Sequence, residues 1–376
     1  MLFIPNLQQG GAERQILELA NKLPRRFAPV LCLWQDVVHY RDLLPAGKTH
    51  HVLGVEHMGR KSLRKFEEIL RAEKPQILHS YRDKANFWAR LALRHSPVPV
   101  VLTSVRNRAI SLLYLLTEWF LCRRSDRVLT NSEGVRHELT HWAGVPEAKV
   151  QVIHNFIDLD RFHPPSAEER AAARARYGLA DDEIALLLPG RISLQKHHMG
   201  LFRALSWLER QGRLSGKVRV LLAGRERDPL YAALAWRLAG FLGVRKYLVR
   251  LGTVTDMTTL YHAADAVVLP SLWEGLPNAA LEAHASGLPA VVSHAANVDR
   301  IVLDGESGFE VPTFRKRALA EALARLLATP AEQRRRMGQR GRAHVAAVFS
   351  PERVLAETVA LYDSLLAQKG LAACAG

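Results

Sequence analysis

Residues 271–292, SLWEGLPNAALEAHASGLPAVV, hold two glutamates, Glu274 and Glu282, eight positions apart across a loop-to-helix junction. Gly275 and Pro277 put Glu274 in a loop, and Asn278 is positioned to cap a helix that carries Glu282. The free N–H groups and positive dipole end of that helix then lie between the carboxylates, a setting suited to a phosphate flanked by hydroxyl-bearing groups. A sugar at one end and a ribose at the other would satisfy both acids. From Asn278 to Glu282 a helix advances only about 6 Å, and the loop extends that toward the span of a nucleoside diphosphate. Spacing alone is weak in a chain with 37 acidic residues; the strand-loop-helix setting is what gives it value.

A cationic element precedes it in the same half. In LLLPGRISLQKHH, residues 186–198, Arg191 and Lys196 follow Gly190. Two cations five apart in a loop before a helix can clamp a diphosphate and stabilise negative charge on a leaving group. A solvated basic loop is the alternative, and the Glu274 loop nearby favours the clamp. At the N-terminus NLQQGGAERQ sets Gly10 and Gly11 between a strand and a helix, where backbone amides can approach a ligand closely. An ordinary strand-helix turn uses glycine in the same way.

These loops need elements to hold them. Strand-like runs such as LFIPN, PVLCLW, QILHSY, VPVVLTSV and RVLTNS alternate with helical patterns, and after residue 166 the alternation restarts with IALLLPG, VRVLLAG, LVRLGTV, AVVLPS and PAVVS. The βα rhythm predicts an α/β protein of two doubly wound, Rossmann-like domains, residues 1–165 and 166–350. Ligands in such sheets bind beyond the carboxyl ends of the strands, so two facing domains make a cleft. A last helix, over 351–367 of the terminal segment 351–376, carries an apolar stripe that must be buried somewhere.

Composition narrows the classes. At 376 residues, 48% hydrophobic and 24% charged, with no repeats or low-complexity tracts, the chain is an ordinary globular one. Cys32, Cys122 and Cys374 lack metal-type spacing, and the sequence shows no secretory leader pattern, which predicts a reducing, cytoplasmic setting. The longest apolar run, 110–122, is short of the ~20 residues that span a bilayer. Net charge is +15, from +8 in residues 1–165 and +7 in the rest. That basicity suits an anionic small-molecule substrate or an anionic lipid surface, with nucleic acid as the competing reading and no nucleic-acid partner expected.

The same residues resemble the GT-B glycosyltransferases of the retaining family 4 type. The resemblance runs through GGAER at 10–14, LTNSEGVR at 129–136, VQVIHNFIDLDRFHP at 150–164, PGRISLQKH at 189–197 and, most specifically, PSLWEGLPNAALEAHASGLPAVV at 270–292. Glu274 to Glu282 looks like the Glu-x7-Glu signature. It implies a nucleotide-sugar donor with Arg191 and Lys196 on its diphosphate, Glu282 on the ribose and Glu274 on the transferred sugar. Gly190 and the backbone from Gly275 through Leu276, Pro277, Asn278 and Ala279 would serve the sugar and phosphate, and Gly252, Thr253 and Val254 the base. Gly10 and Gly11 would approach from across the cleft, and the terminal helix would return to the N-terminal domain. The acceptor, a glycan or lipid-linked molecule of surface polysaccharide synthesis, would meet Arg106 and Asn107, where several relatives carry a histidine. The resemblance implies no metal and no cofactor. Two departures stand out: His197 where many relatives have glycine, and Arg225-Glu226-Arg227 where a Gly-rich turn is usual.

Other signals compete. HELTH, residues 137–141, matches the H-E-x-x-H pattern of zinc hydrolases, with His137 and His141 on one helix face and Glu138 as the base. A surface helix is the favoured reading. A noncatalytic nucleotide- or glycan-binding module on the same fold is a further alternative. Asp158 and Asp160 suit a turn cap, His154 and His284 suit packing, and the absence of G-x-G-x-x-G and P-loop patterns weakens dehydrogenase and NTPase readings. RNRAISLLYLLTEWFLCRR, residues 106–124, is apolar in its middle and basic at both ends: either a core helix with polar caps or a membrane-surface contact.

Overall fold

The computed structural model describes residues 1–8, 11–39, 41–44, 50–106, 112–226 and 228–372. They form two compact units, one of Met1–Phe156 with Pro351–Gly376 and one of Ile157–Ser350. In the first unit the order is β1 (Leu2–Ile4), α1 (Gly11–Lys22), β2 (Leu31–Leu33), β3 (His50–Val52), α2 (Arg60–Glu73), β4 (Ile77–Tyr81), α3 (Asp83–Ala92), β5 (Val100–Val105), α4 (Leu112–Leu121), β6 (Arg127–Thr130), α5 (Glu133–His141) and β7 (Val150–Val152). The second has α6 (Ala167–Arg176), β8 (Ile184–Pro189), α7 (His198–Arg210), β9 (Val218–Ala223), α8 (Pro229–Phe241), β10 (Leu248–Gly252), α9 (Met257–Ala263), β11 (Ala266–Leu269), α10 (Asn278–Ala285), β12 (Ala290–Ser293), β13 (Gly308–Val311), α11 (Lys316–Ala328) and α12 (Ala331–Val348). The closing α13 (Pro351–Gln368) belongs to the first unit.

Both sheets are parallel, in the orders β3-β2-β1-β4-β5-β6-β7 and β10-β9-β8-β11-β12-β13. Strands covered on both faces need apolar residues on both, and that is why VVLTSV of β5 is buried throughout and IALLLP of β8 nearly so. In each sheet the strand order reverses beside the first strand, between β1 and β4 and between β8 and β11. Loops leaving the two strands of such a pair diverge and open a crevice at their carboxyl ends.

The chain divides after Phe156, ahead of the expected boundary at 165. The Ile157 N–H donates to the Phe349 carbonyl at 2.9 Å, and Ile157 and Phe162 lie in the second unit's core. The apolar stripe of α13 goes where the resemblance sends it. Val354, Leu361, Tyr362, Leu365 and Leu366 join Leu2, Ile4, Ile16 and Leu102 in one cluster, each large side chain stabilising by about 1.5–3 kcal/mol relative to leaving it exposed.

Candidate active site

The second unit's crevice is built from its turns upward. Gly190 ends β8 with φ 134°, open only to glycine at low cost, and its N–H donates to Ala223 at 2.8 Å. The Gly224 N–H donates to Gly252 at 2.7 Å, and the Ile192 N–H to Arg225 at 3.0 Å. Loops after β8, β9 and β10 are thereby stitched edge to edge. A Cβ on Gly224 would overlap the Gly190 carbonyl, so glycine here is a condition of that close approach. In the Arg225-Glu226-Arg227 segment Arg225 is exposed, while Glu226 pairs with Arg250 at 2.7 Å and accepts from the Trp236 indole at 3.1 Å; Arg227 lies outside the described residues.

Lys196 lies across Gly190, so close that a Cβ there would stand 2.7 Å from Lys196 Cε. Its Nζ donates to Glu274 Oε1 at 2.6 Å, and Gln195 Nε2 donates to Glu274 Oε2 at 3.2 Å and to the Trp273 carbonyl at 3.1 Å. The Leu272 N–H closes the link by donating to the Gln195 carbonyl at 2.8 Å. The loops after β8 and β11 are thus tied together at the switch point, with Lys196 14% and Glu274 9% exposed at the side chain. Arg191 is half-buried on the same loop.

His197 takes the left-handed conformation, φ 54°, that glycine would supply in relatives, at a cost of about 1–2 kcal/mol. Its ring covers Gly200 and meets Phe314 edge-on at 6.4 Å between centroids. Burial, then Arg203, lowers its pKa, and burial brings that of neighbouring His198 to about 4.

At the other end, Pro277 and not Asn278 is the N-cap of α10. Proline has no side-chain acceptor to offer the helix's first N–H groups, and Asn278 becomes the first helical residue. Gly275 is half-buried; Leu276 turns into the core, Pro277 is buried, and Ala279 packs against that core, which leaves backbone as the polar surface of Leu276 and Ala279. One turn on, Glu282 accepts a 2.8 Å hydrogen bond at Oε2 from the hydroxyl of Tyr261, a fully buried residue. Burial first, then Glu282, pushes the Tyr261 phenol well above its ordinary pKa, so it stays a donor. Tyr261 is a partner of Glu282 that the sequence concealed, since in LYHAADAVV it reads as core. Gly252 has φ 66°, Thr253 is exposed and Val254 packs on the core.

In the first unit Gly11 opens α1, while Gly10 and Asn107 lie outside the described residues. Glu13, from the same GGAER segment, is buried and accepts at 2.8 Å from Arg82, which follows β4. Arg82 has φ 78° and ψ 151°, a strained setting for a residue with a Cβ, beside the β1/β4 reversal. Sequence reasoning missed it because only the backbone angle marks it. Arg106 is half-buried, donates to Asn155 Oδ1 at 2.6 Å and stacks over Tyr81 at 5.0 Å. Beneath it His79 joins Ser104 Oγ and the Tyr362 hydroxyl, each at 2.7 Å, and burial, then Arg106, holds its pKa well below the usual range.

The HELTH segment does not assemble a zinc site. Glu138 is buried on the inner face of α5, while His137 and His141 are exposed and stack on each other at 4.0 Å between centroids. His141 Nδ1 is engaged by Thr140 Oγ1 and the His137 carbonyl. A base turned away from the two ligands cannot activate their water. Among the described residues no cluster of three or more His, Cys, Asp or Glu is placed to hold a metal ion. Asp158 caps a turn by accepting from Arg161 N at 2.9 Å, and His284 is a buried packing residue, as expected.

Two parallel-sheet Rossmann-like units, with the Lys196–Glu274 pair and Glu282 at one switch point, define a GT-B glycosyltransferase. Residues 169–344 match the family described as Glycosyl transferases group 1, and residues 9–161 match Glycosyltransferase Family 4. The chain is 27% identical, over 71% of its length and 70% of the relative's, to the UDP-Gal:alpha-D-GlcNAc-diphosphoundecaprenol alpha-1,3-galactosyltransferase of Escherichia coli. It is 31% identical to a D-inositol 3-phosphate glycosyltransferase of Streptomyces bingchenggensis, over 76% of this chain and 66% of that one, just under two thirds of the relative's length. The structure of Anabaena HepE in complex with UDP and glucose superposes with a TM-score of 0.84 at 19% identity, covering 96% of this chain and 99% of that one, which speaks to the fold. The chain belongs to the GT-B glycosyltransferases of the family 4 type.

Proposed function

We propose that the chain transfers a sugar from a UDP-sugar, with retention of anomeric configuration, to a glycan or lipid-linked acceptor in surface polysaccharide synthesis. The observation that carries the reading is the Lys196–Glu274 pair, held over Gly190 at the mouth of α10, with Glu282 anchored one turn further on. A diphosphate at that helix mouth gains the positive dipole end of α10. Lys196 and Arg191 then neutralise the β-phosphate as the bond from C1 to the phosphate oxygen breaks and its electron pair stays on that oxygen. Glu274 accepts from hydroxyls of the departing sugar, and Glu282 from the ribose. The acceptor oxygen bonds to C1 on the face the diphosphate leaves, and its proton passes to the departing phosphate oxygen. Side-chain cations carry the charge in this scheme, so it calls for no metal or cofactor.

Uridine and a lipid-linked acceptor are supported by the Escherichia coli relative, whose name gives UDP-Gal as donor and GlcNAc-diphosphoundecaprenol as acceptor. The chain would then work in the cytoplasm at the inner face of the membrane. Incubation with UDP-galactose, UDP-glucose and UDP-N-acetylglucosamine plus a polyprenyl-diphosphate sugar, read by proton NMR, tests it. Transfer giving an α-linked product from an α-linked donor is expected. A β-linked product contradicts retention, and donor binding without transfer or release of UDP returns the chain to a noncatalytic binding module.

A further inference from the structure

We propose that the outer face of α4, with the end of α5, is a docking surface for an anionic lipid bilayer. Helix α4, LLYLLTEWFL, is apolar on both sides. Its inner side seats Tyr114 and Leu115 against a small cluster of Val105, Cys122, Val128, Val135 and Leu139. Its outer side presents Leu112, Leu113, Leu116, Trp119 and Phe120, each 53–75% exposed. Those five recur at i, i+1, i+4, i+7 and i+8, one continuous stripe along a helix. The core-helix reading describes the inner face; the outer face is exposed.

The stripe extends past the helix. Trp119 lies on Gly144, where a Cβ would stand 3.0 Å from its Cδ1, and two residues before Gly144 the side chain of Trp142 is 55% exposed. Trp119 and Phe120 thus end α4 beside the loop that follows Trp142. Exposed apolar patches of this kind on soluble chains mark interaction surfaces, and tryptophan favours the boundary between headgroups and acyl chains.

Charge selects the occupant. The one charged residue of α4, Glu118, is turned inward and neutralised by Arg90, which donates to its two oxygens at 2.8 and 2.7 Å; both residues are nearly inaccessible. The outer face therefore carries no acid from α4, and Arg123 and Arg124 follow it, both exposed. An apolar stripe edged by arginine on a chain of net charge +15 matches an anionic bilayer surface. Ion pairing keeps the polar partner of α4 on the inside, so the helix can lie flat in the interface without burying a charge there. The proposal gives the lipid-linked acceptor reading a place of approach, yet it stands on exposure and charge alone.

Flotation of the full chain with vesicles tests it, without donor or acceptor. The wild-type chain is expected to float with phosphatidylcholine vesicles containing about 30% phosphatidylglycerol, less at high salt, and weakly with phosphatidylcholine alone. Leu113→Ser with Phe120→Ser should lower the partition coefficient at least about tenfold, and Arg123→Glu should lower it for the anionic vesicles only. UDP affinity of each variant, measured by calorimetry in the absence of lipid, should match wild type and shows that the fold is kept. Unchanged flotation of the double variant, no flotation of the wild type, or a concentration-dependent dimer that the double variant abolishes each overturns the proposal, the last by assigning the face to a second copy. Failure of transfer activity with intact flotation would instead count against the glycosyl donor and acceptor reading.

Discussion

Lys196 and Glu274, 78 residues apart, meet at 2.6 Å across the reversal point of the second sheet. Neither faces water freely, so the pair is preorganised, and a ligand diphosphate arriving there meets a lysine already fixed in place. Fixed charge costs little reorganisation at the moment of reaction. Lys196→Ala should therefore lower kcat about 10²- to 10³-fold while shifting donor KM far less, since the lysine acts on charge that develops as the phosphate departs. Steady-state and single-turnover kinetics separate the two parameters, and a change confined to KM counts against the role.

The Tyr261 hydroxyl holds one oxygen of Glu282. Removing that hydroxyl leaves the ring in the core and releases one carboxylate oxygen, so Tyr261→Phe should weaken UDP binding about three- to tenfold, in line with one lost hydrogen bond. Glu282→Ala should weaken it more. Calorimetric titration with UDP reads both, and equal affinity in all three proteins would detach Glu282 from the ribose.

Gly224 tests the stitched loops. Gly224→Ala forces the loop after β9 away from Gly190, with an expected loss of about 1–3 kcal/mol or more in stability together with loss of UDP binding. Gly216→Ala, where a new Cβ meets nothing within 4 Å, is the control and should change neither. Chemical denaturation followed by titration with UDP measures the pair.

The pH dependence of stability has a defined sign. His284 is buried, with Nδ1 against the Leu288 carbonyl at 2.9 Å and Nε2 against Ser307 Oγ at 3.2 Å, and burial lowers its pKa to about 4. Between pH 6.5 and 4 the unfolded chain takes up a proton that the native state refuses, so stability is full above pH 6.5 and falls toward pH 4. His284→Gln should flatten that fall by up to about 1.4 kcal/mol per pH unit, with the remainder shared by the other histidines whose pKa burial lowers, His79, His197, His198 and His262. Urea midpoints at pH 7, 6, 5 and 4.5 give the slope; a parallel decline in the variant removes His284 from the account.

Transfer should survive EDTA dialysis unchanged, since Arg191, Lys196 and the α10 mouth supply the positive charge in the proposed scheme. A chelator-sensitive rate restored by magnesium or manganese would contradict the metal-free proposal.

What the sequence made legible follows from the range of its signals. The βα rhythm and the switch-point loops depend on local patterning, and residue type and setting single out Arg191, Lys196, Glu274 and Glu282 as candidates. The direct Lys196–Glu274 bond is not legible there, because it joins loops after two different strands. Tyr261 and Gly224 escaped for a related reason: a tyrosine in an apolar run and a glycine after a strand look alike whether or not another chain segment touches them. The side chain of Asn278 suits a cap, whereas the backbone turns one residue earlier, at Pro277. In α4 periodicity could not separate the two apolar faces, since a helix apolar all round has no polar side to mark which one is packed.

A crystal structure of the chain with UDP bears most directly on the central claim. It should show the diphosphate at the N-terminus of α10 within hydrogen-bond reach of Lys196, and both ribose hydroxyls within reach of Glu282. UDP bound with its phosphates away from that helix mouth, or with Glu282 still engaged only by Tyr261, would contradict it.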